Sequence, residues 1–109
     1  MKDDAMTDRE LLELAAKAAG IPLKPDFADR FDYYMADPLM WNPRDYDSDA
    51  LRLAVKLGIA LDCTKNRCWA YPAGRAMGGV CEEFYKDDPY AATRRAIVRA
   101  AAEIGRAKT

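Results

Sequence analysis

Cysteine is the most reactive residue type in this sequence, and all three cysteines, Cys63, Cys68 and Cys81, lie in its second half. Cys63 and Cys68 flank Lys65-Asn66, a dipeptide suited to a tight hairpin turn because asparagine tolerates positive φ. With a two-residue loop they sit opposite each other across two strands. Three sulfurs suggest zinc, but structural zinc sites are normally tetrahedral, and the chain has no histidine to complete one. An aspartate or glutamate in that role is rare. A catalytic cysteine usually has a basic partner, most often histidine. Partly buried structural thiols are therefore the stronger reading. An odd count in a chain with no secretory signal argues for free thiols in a reducing compartment.

Arginine offers the second chemistry. Arg94, Arg95 and Arg99 cluster on one segment, and the guanidinium fork suits phosphate and carboxylate. Tyr90 and Tyr85 lie near in sequence and could stack on a base. The plainer alternative is a solvated helix face with an i,i+4 Arg99–Glu103 pair. The stretch 73–79, with three glycines and Arg75, could cradle an anion, but it lacks the P-loop pattern and reads more simply as a strand-to-strand connection. Asp45, Asp47 and Asp49 resemble the start of a calcium loop. The match then fails, because Ala50 stands where a glycine is needed and Lys56 where a bidentate glutamate should be. An acid-rich helix start, favourable to the helix dipole, is the better account. No metal site and no cofactor are implied. Glu82-Glu83 are acids without a recognisable catalytic spacing, and no histidine is present to act as general base, so an enzyme is the weakest of three readings and no catalytic residue is assigned.

The elements that position these residues are signed at their ends. Thr7 and Glu10 form a T-x-x-E capping box, with Met6 and Leu11 at the hydrophobic-staple positions. Leu11, Ala15 and Ala18, with Leu12, Leu14 and Ala19 beside them, supply an apolar stripe. Gly20 and Pro22 end this first helix. Residues 22–46 are broken by Pro22, Pro25, Pro38 and Pro43; Phe27, Phe31 and Tyr34 at helical spacing allow a short helix near 26–35, and an irregular or strand-like segment is the alternative. Leu39, Met40 and Trp41 read as an anchor. A second helix, about 48–57, is expected with Asp47 or Ser48 as its cap, Leu51, Ala54 and Val55 on one side, and Gly58 as its stop. Residues 59–64, 67–71 and 80–85 read as three short strands of an antiparallel meander. Asp88 as N-cap and Pro89 at the first helical position open the last helix, which runs to about Arg106. Its broad face of Ala92, Ala96, Ile97, Ala100, Ala101 and Ile104 lets the axis lie close to its neighbour. Most of the aromatic side chains, Trp41, Trp69, Tyr33, Tyr34, Tyr46 and Tyr71 among them, are expected in the core, and any exposed together would mark an interface. The fold class is thus α+β: a short three-stranded antiparallel sheet packed with two to four helices, in one domain over 1–109 behind a polar tail, 1–6.

Half of the 109 residues are hydrophobic and 32% are charged, a globular profile rather than a disordered one. No apolar run is long enough to span a bilayer. The net charge of −1 gives no global case for nucleic acid or membranes. Its distribution is uneven: residues 1–54 carry 7 basic and 12 acidic side chains, residues 55–109 carry 10 and 6. Such polarity can steer self-association or an anionic ligand, although two solvated faces of different composition explain it more simply.

Two stretches, WNPRDYDSDALRLAVKLGI (Trp41 to Ile59) and DPYAATRRAIVRAAAEIG (Asp88 to Gly105), resemble the phage ABA sandwich domain family, small proteins of tailed phages and prophages. With TDRELLELAAKAAGI at the N-terminus, the resemblance covers most of the chain outside about 22–40 and 62–87. It implies a sheet layered between helices and a cytoplasmic life in an infected or lysogenic bacterium. It implies no particular chemistry. The expectation is therefore a phage or prophage accessory protein that acts by binding a host protein or itself. The alternative is a binder of a small anionic ligand such as a nucleotide, through Arg94, Arg95, Arg99, Tyr90 and Arg75. Double-stranded DNA is the poorer option, since the acidic half opposes it.

Overall fold

The computed structural model describes residues 7–21, 23–24, 34–36, 40–72 and 81–108. Helix α1 (Asp8–Ala19) starts on the expected capping box. The Glu10 N–H donates to Thr7 Oγ1 at 3.1 Å, and the Thr7 N–H donates to Glu10 Oε1 at 2.9 Å. Gly20 turns left-handed at φ 72°, and the Ile21 N–H then closes onto the Ala16 carbonyl at 2.9 Å. The buried face comprises Leu11, Leu12, Ala15, Ala16, Ala18 and Ala19. Met6, the staple partner, lies outside the described residues.

A small sheet is built from three short segments between residues 23 and 41. Strands β1 (Leu23–Lys24), β2 (Tyr34–Ala36) and β3 (Met40–Trp41) pair antiparallel in the order β1-β2-β3. The strand-like alternative therefore holds at 34–36, where a helix over 26–35 would have ended; residues 25–33 lie outside the described residues. Prolines supply no N–H to a ladder, which suits strands this short. Trp41 is buried, as an anchor should be.

Helix α2 (Asp47–Leu57) differs from expectation at its start and on its inner face. Its N-cap is Tyr46, which makes no side-chain cap bond. Asp47 and Ser48 are inside the helix, and the nearby carboxylates are engaged elsewhere: Asp47 pairs with Arg94, and Asp49 Oδ2 accepts the Asn42 N–H at 2.9 Å. Ala50, Leu53 and Ala54 are the buried residues, whereas Leu51 and Val55 are 59% and 74% exposed. Gly58, at φ 66°, ends the helix as expected.

Strands β4 (Ile59–Cys63), β5 (Arg67–Pro72) and β6 (Cys81–Phe84) form the expected antiparallel meander. Ile59 faces Pro72 and Cys63 faces Cys68, while Ala70 faces Cys81. Lys65-Asn66 is the turn, closed by the Thr64 N–H on the Arg67 carbonyl at 2.9 Å. Cys68, Ala70 and Pro72 are buried, alternating with half-buried Arg67, Trp69 and Tyr71. The latter face is not core: the Arg67 guanidinium lies 4.9 Å from the Trp69 ring centre and 5.2 Å from that of Phe84, and pairs with Glu82 at 2.9 Å.

Helix α3 (Pro89–Ala107) is the common partner of α1, α2 and the meander. Asp88 Oδ1 accepts the N–H groups of Tyr90 and Ala91 at 3.0 and 3.1 Å. Its buried residues are almost all small: Ala92, Ala96, Ala100, Ala101, Ala102 and Gly105, with Ile97 and Val98. Small side chains let helix backbones approach, and at Gly105 the approach is close: a Cβ there would lie 2.8 Å from the Leu14 carbonyl carbon of α1. Cys68 Sγ, on the strand side, is 3.9 Å from the Ala92 carbonyl that accepts from it. The architecture is α+β, as expected. Among the described residues, no helix is long and apolar enough to cross a membrane.

Candidate functional site

A cleft of about 430 Å³ opens between α2, β4 and the first turns of α3. Its origin is the direction of β4. Ile59, Leu61 and Cys63 all point to the helix side of the sheet, but the helices cover them unequally. Ile59 is 8% exposed and Leu61 37%, and Cys63 is exposed. Leu51 and Ala50 of α2 form one wall, Tyr90, Thr93 and Ile97 of α3 the opposite one, and Tyr85 closes the end near Cys63. Leu51 and Tyr90 are 59% and 70% exposed, so the cleft presents large apolar groups to solvent. The Tyr85 hydroxyl interacts with both Cys63 and Thr93.

The rim is polar and already neutralised. Arg94 Nη1 meets Asp47 Oδ1 at 2.6 Å, and Arg94 Nε donates to the Arg44 carbonyl at 2.7 Å. The guanidinium is 16% exposed and the carboxylate 73%, so the carbonyl bond fixes the arginine more firmly than the water-screened ion pair does. Arg44 in turn pairs with Asp8 of α1.

The three arginines of the expected anion site take different partners. Arg94 stands on the cleft rim with Tyr90 in the wall. Arg95 reaches Asp8 at 3.6 Å. Arg99 donates to the Glu82 carbonyl at 2.9 Å and to Glu83 Oε2 at 2.7 Å. The expected i,i+4 Arg99–Glu103 pair is replaced by this link to β6, and Glu103 pairs instead with Arg106 at 3.2 Å. Arg75 and the glycine-rich stretch 73–79 lie outside the described residues. Asp45 and Asp49 both accept from Asn42, from its side chain and its backbone N–H respectively, while Asp47 pairs with Arg94. Among the described residues, no group of three or more His, Cys, Asp or Glu is placed to hold a metal ion.

Two structural features carry little signal in the sequence. One is the outward turn of Leu51, whose only signal was its placement beside an equally apolar face. The other is Asn42, a fully buried polar residue. Its side chain donates to Asp45 Oδ2 at 3.0 Å and accepts the Arg44 and Asp45 N–H groups at 3.1 and 3.2 Å. The Asn-Pro dipeptide at 42–43 is the turn signal that could have found it.

The cysteines are free thiols, Cys63 exposed, Cys68 and Cys81 buried. Burial pushes the Cys68 thiol above its ordinary 9.0, against a lowering hydrogen bond with Thr93. Burial likewise raises Cys81, against the attraction of the Arg99 charge. The folded chain therefore keeps two protons that the unfolded chain releases first. This contribution to stability is complete below the ordinary thiol value and is lost as pH rises through and above it. Urea midpoints are expected to fall as the pH is raised beyond about 9, and less steeply in Cys81→Ala.

Compared with known protein families, curated proteins and solved structures, the chain matches none.

Proposed function

We propose that the chain acts by binding rather than by catalysis, as a phage or prophage accessory protein, and that the cleft between α2, β4 and α3 receives an apolar segment of a protein partner. The observation that carries this is the apolar cleft itself, with Leu51 and Tyr90 held open to solvent beside Leu61. Exposed apolar groups gathered in one concavity, with a polar rim, are what protein interfaces use as anchors. The Arg94–Asp47 pair at the rim offers one donor-acceptor couple to fix an incoming backbone. The partner is a host protein or a second copy of the chain.

A smaller anionic ligand has less support in the geometry. Arg94, Arg95 and Arg99 do not face one pocket, and each has a carboxylate in reach.

The test compares the wild type with Leu51→Asp and Tyr90→Ala, both at exposed positions where stability should hardly change. Loss of a central anchor costs about 2 kcal/mol or more of binding, roughly 30-fold. Sedimentation over a concentration series reads self-association, and cross-linking from host lysate followed by reconstitution with the purified protein reads a foreign partner. Both variants are expected to weaken whichever association is found by at least that factor. A chain that stays monomeric and binds no partner in a Leu51- and Tyr90-dependent way would remove the proposal. A nucleotide that raises the melting temperature of the wild type, but not of Arg94→Ala, would favour the anion-binding alternative.

A further inference from the structure

We infer that Cys63 and Cys68 form a site of thiol–disulfide exchange, in which exposed Cys63 takes up a low-molecular-weight disulfide such as oxidised glutathione and buried Cys68 resolves it to an intramolecular cross-link. The inference stands on strand register and does not depend on the binding role of the cleft. Cys63 and Cys68 are directly opposed on β4 and β5. The neighbouring pair, Thr64 and Arg67, is hydrogen-bonded at 2.9 Å. Hydrogen-bonded and non-hydrogen-bonded pairs alternate along an antiparallel ladder, so Cys63 and Cys68 occupy a non-hydrogen-bonded position. The backbone of Cys68 is consistently turned the other way, toward Glu83, beside the Tyr85 N–H bond to the Asn66 carbonyl at 2.9 Å. Non-hydrogen-bonded pairs bring the Cα atoms to about 4.5 Å, within the ~4.4–6.8 Å that disulfides span. Both side chains lie on the helix side of the sheet, and the two thiols interact with each other.

The third cysteine provides the contrast. Cys81 opposes Ala70, so it is diagonal to Cys68 across β5 and β6. Diagonal neighbours are about 7–8 Å apart at Cα, beyond ordinary disulfide reach. Cys81 is also buried, as Cys68 is, whereas Cys63 is open to reagent.

The exchange balances with the disulfide as oxidant. The Cys63 thiol loses its proton to solvent, and its thiolate attacks one sulfur of oxidised glutathione. The new bond joins Cys63 to one glutathione, and the other leaves as a thiolate that takes up a proton. Cys68, once deprotonated, attacks the Cys63 sulfur and displaces the second glutathione. Two protein thiols are oxidised, and one glutathione disulfide is reduced to two thiols.

The experiment incubates the reduced full chain with excess oxidised glutathione and reads intact mass, thiol count and tryptic peptides. Lys65 and Arg67 lie between the two cysteines, so trypsin separates them and the cross-link appears as two joined peptides. The expected product is two hydrogens lighter than the starting chain, joined at Cys63 and Cys68, and returned to the thiol form by a dithiol reductant. Cys81→Ala is expected to behave the same way, and Cys68→Ala to stop at a glutathione adduct on Cys63. Cys63→Ala, whose position is exposed and whose melting should match the wild type, is expected to take up no glutathione. A wild type that stalls as the adduct, fails to react, or links through Cys81 would overturn the inference.

Discussion

Replacing Gly105 with alanine is expected to destabilise the protein by about 2–4 kcal/mol, although alanine is the better helix former. In a helix interior the exchange alone should stabilise by nearly 1 kcal/mol. Here the added methyl has no room. It would lie 2.8 Å from the Leu14 carbonyl carbon and nearer still to its oxygen, and the obstacle is backbone, which cannot rotate away as a side chain can. Helix α1 would have to move off α3 along an interface where both helices bury alanines. Overpacking of this kind commonly costs about 1–3 kcal/mol and more where nothing can yield. A melting temperature lower by on the order of 10 °C is the expected reading for a chain of this size. Gly58→Ala is the control: its Cβ would meet nothing within 4 Å, so its cost is only that of the left-handed backbone, about 1 kcal/mol. A Gly105→Ala protein as stable as the wild type would show that the two helices can separate freely.

The second large effect is expected at Asn42→Ala, at about 2–3 kcal/mol in urea unfolding. The substitution leaves the Asn42 N–H on Asp49 in place, but it removes the side-chain acceptor of the Arg44 N–H and the donor to Asp45. Buried polar groups deprived of their partner lose close to the full desolvation cost. The consequence should spread, because Arg44 carries both the Asp8 pair and the carbonyl that holds Arg94. Asn42→Asp should fail to rescue at neutral pH, since it keeps the acceptor but sets a second carboxylate against Asp45. A variant with an unchanged urea midpoint would mean that the 42–46 turn is held by its backbone alone.

Range decides much of what is legible in the sequence, but not all: the Asn42 side-chain bonds span only two and three residues and were not anticipated. Caps are local: Thr7 with Glu10, and Asp88 with Tyr90 and Ala91, were readable because donor and acceptor lie within three residues. The hairpin register was readable for the same reason, since Lys65-Asn66 allows only a short turn and thereby sets Cys63 against Cys68. The inner face of α2 was not. Leu51 and Val55 are apolar, as Leu53 and Ala54 are, and the positions of α3, α1 and β4 around α2 decide which pair is covered. The arginines failed in the same way: as a sequence cluster they suggested convergence, but Arg94 finds its partners 47 and 50 residues away. The cleft is the product of such long-range choices. Its walls were apolar residues on three elements whose mutual placement no local pattern specifies.

The central place of α3 also bears on how the chain folds as it is made. Helix α1 is synthesised early, yet its broadest partner is α3, near the other end of the sequence, where Lys108 Nζ finally donates to the Ala18 carbonyl at 3.1 Å. Until α3 leaves the ribosome, the face of α1 that packs against it is uncovered. Nascent chains therefore carry that apolar face uncovered between the synthesis of α1 and that of α3, and chaperone engagement should concentrate on α1.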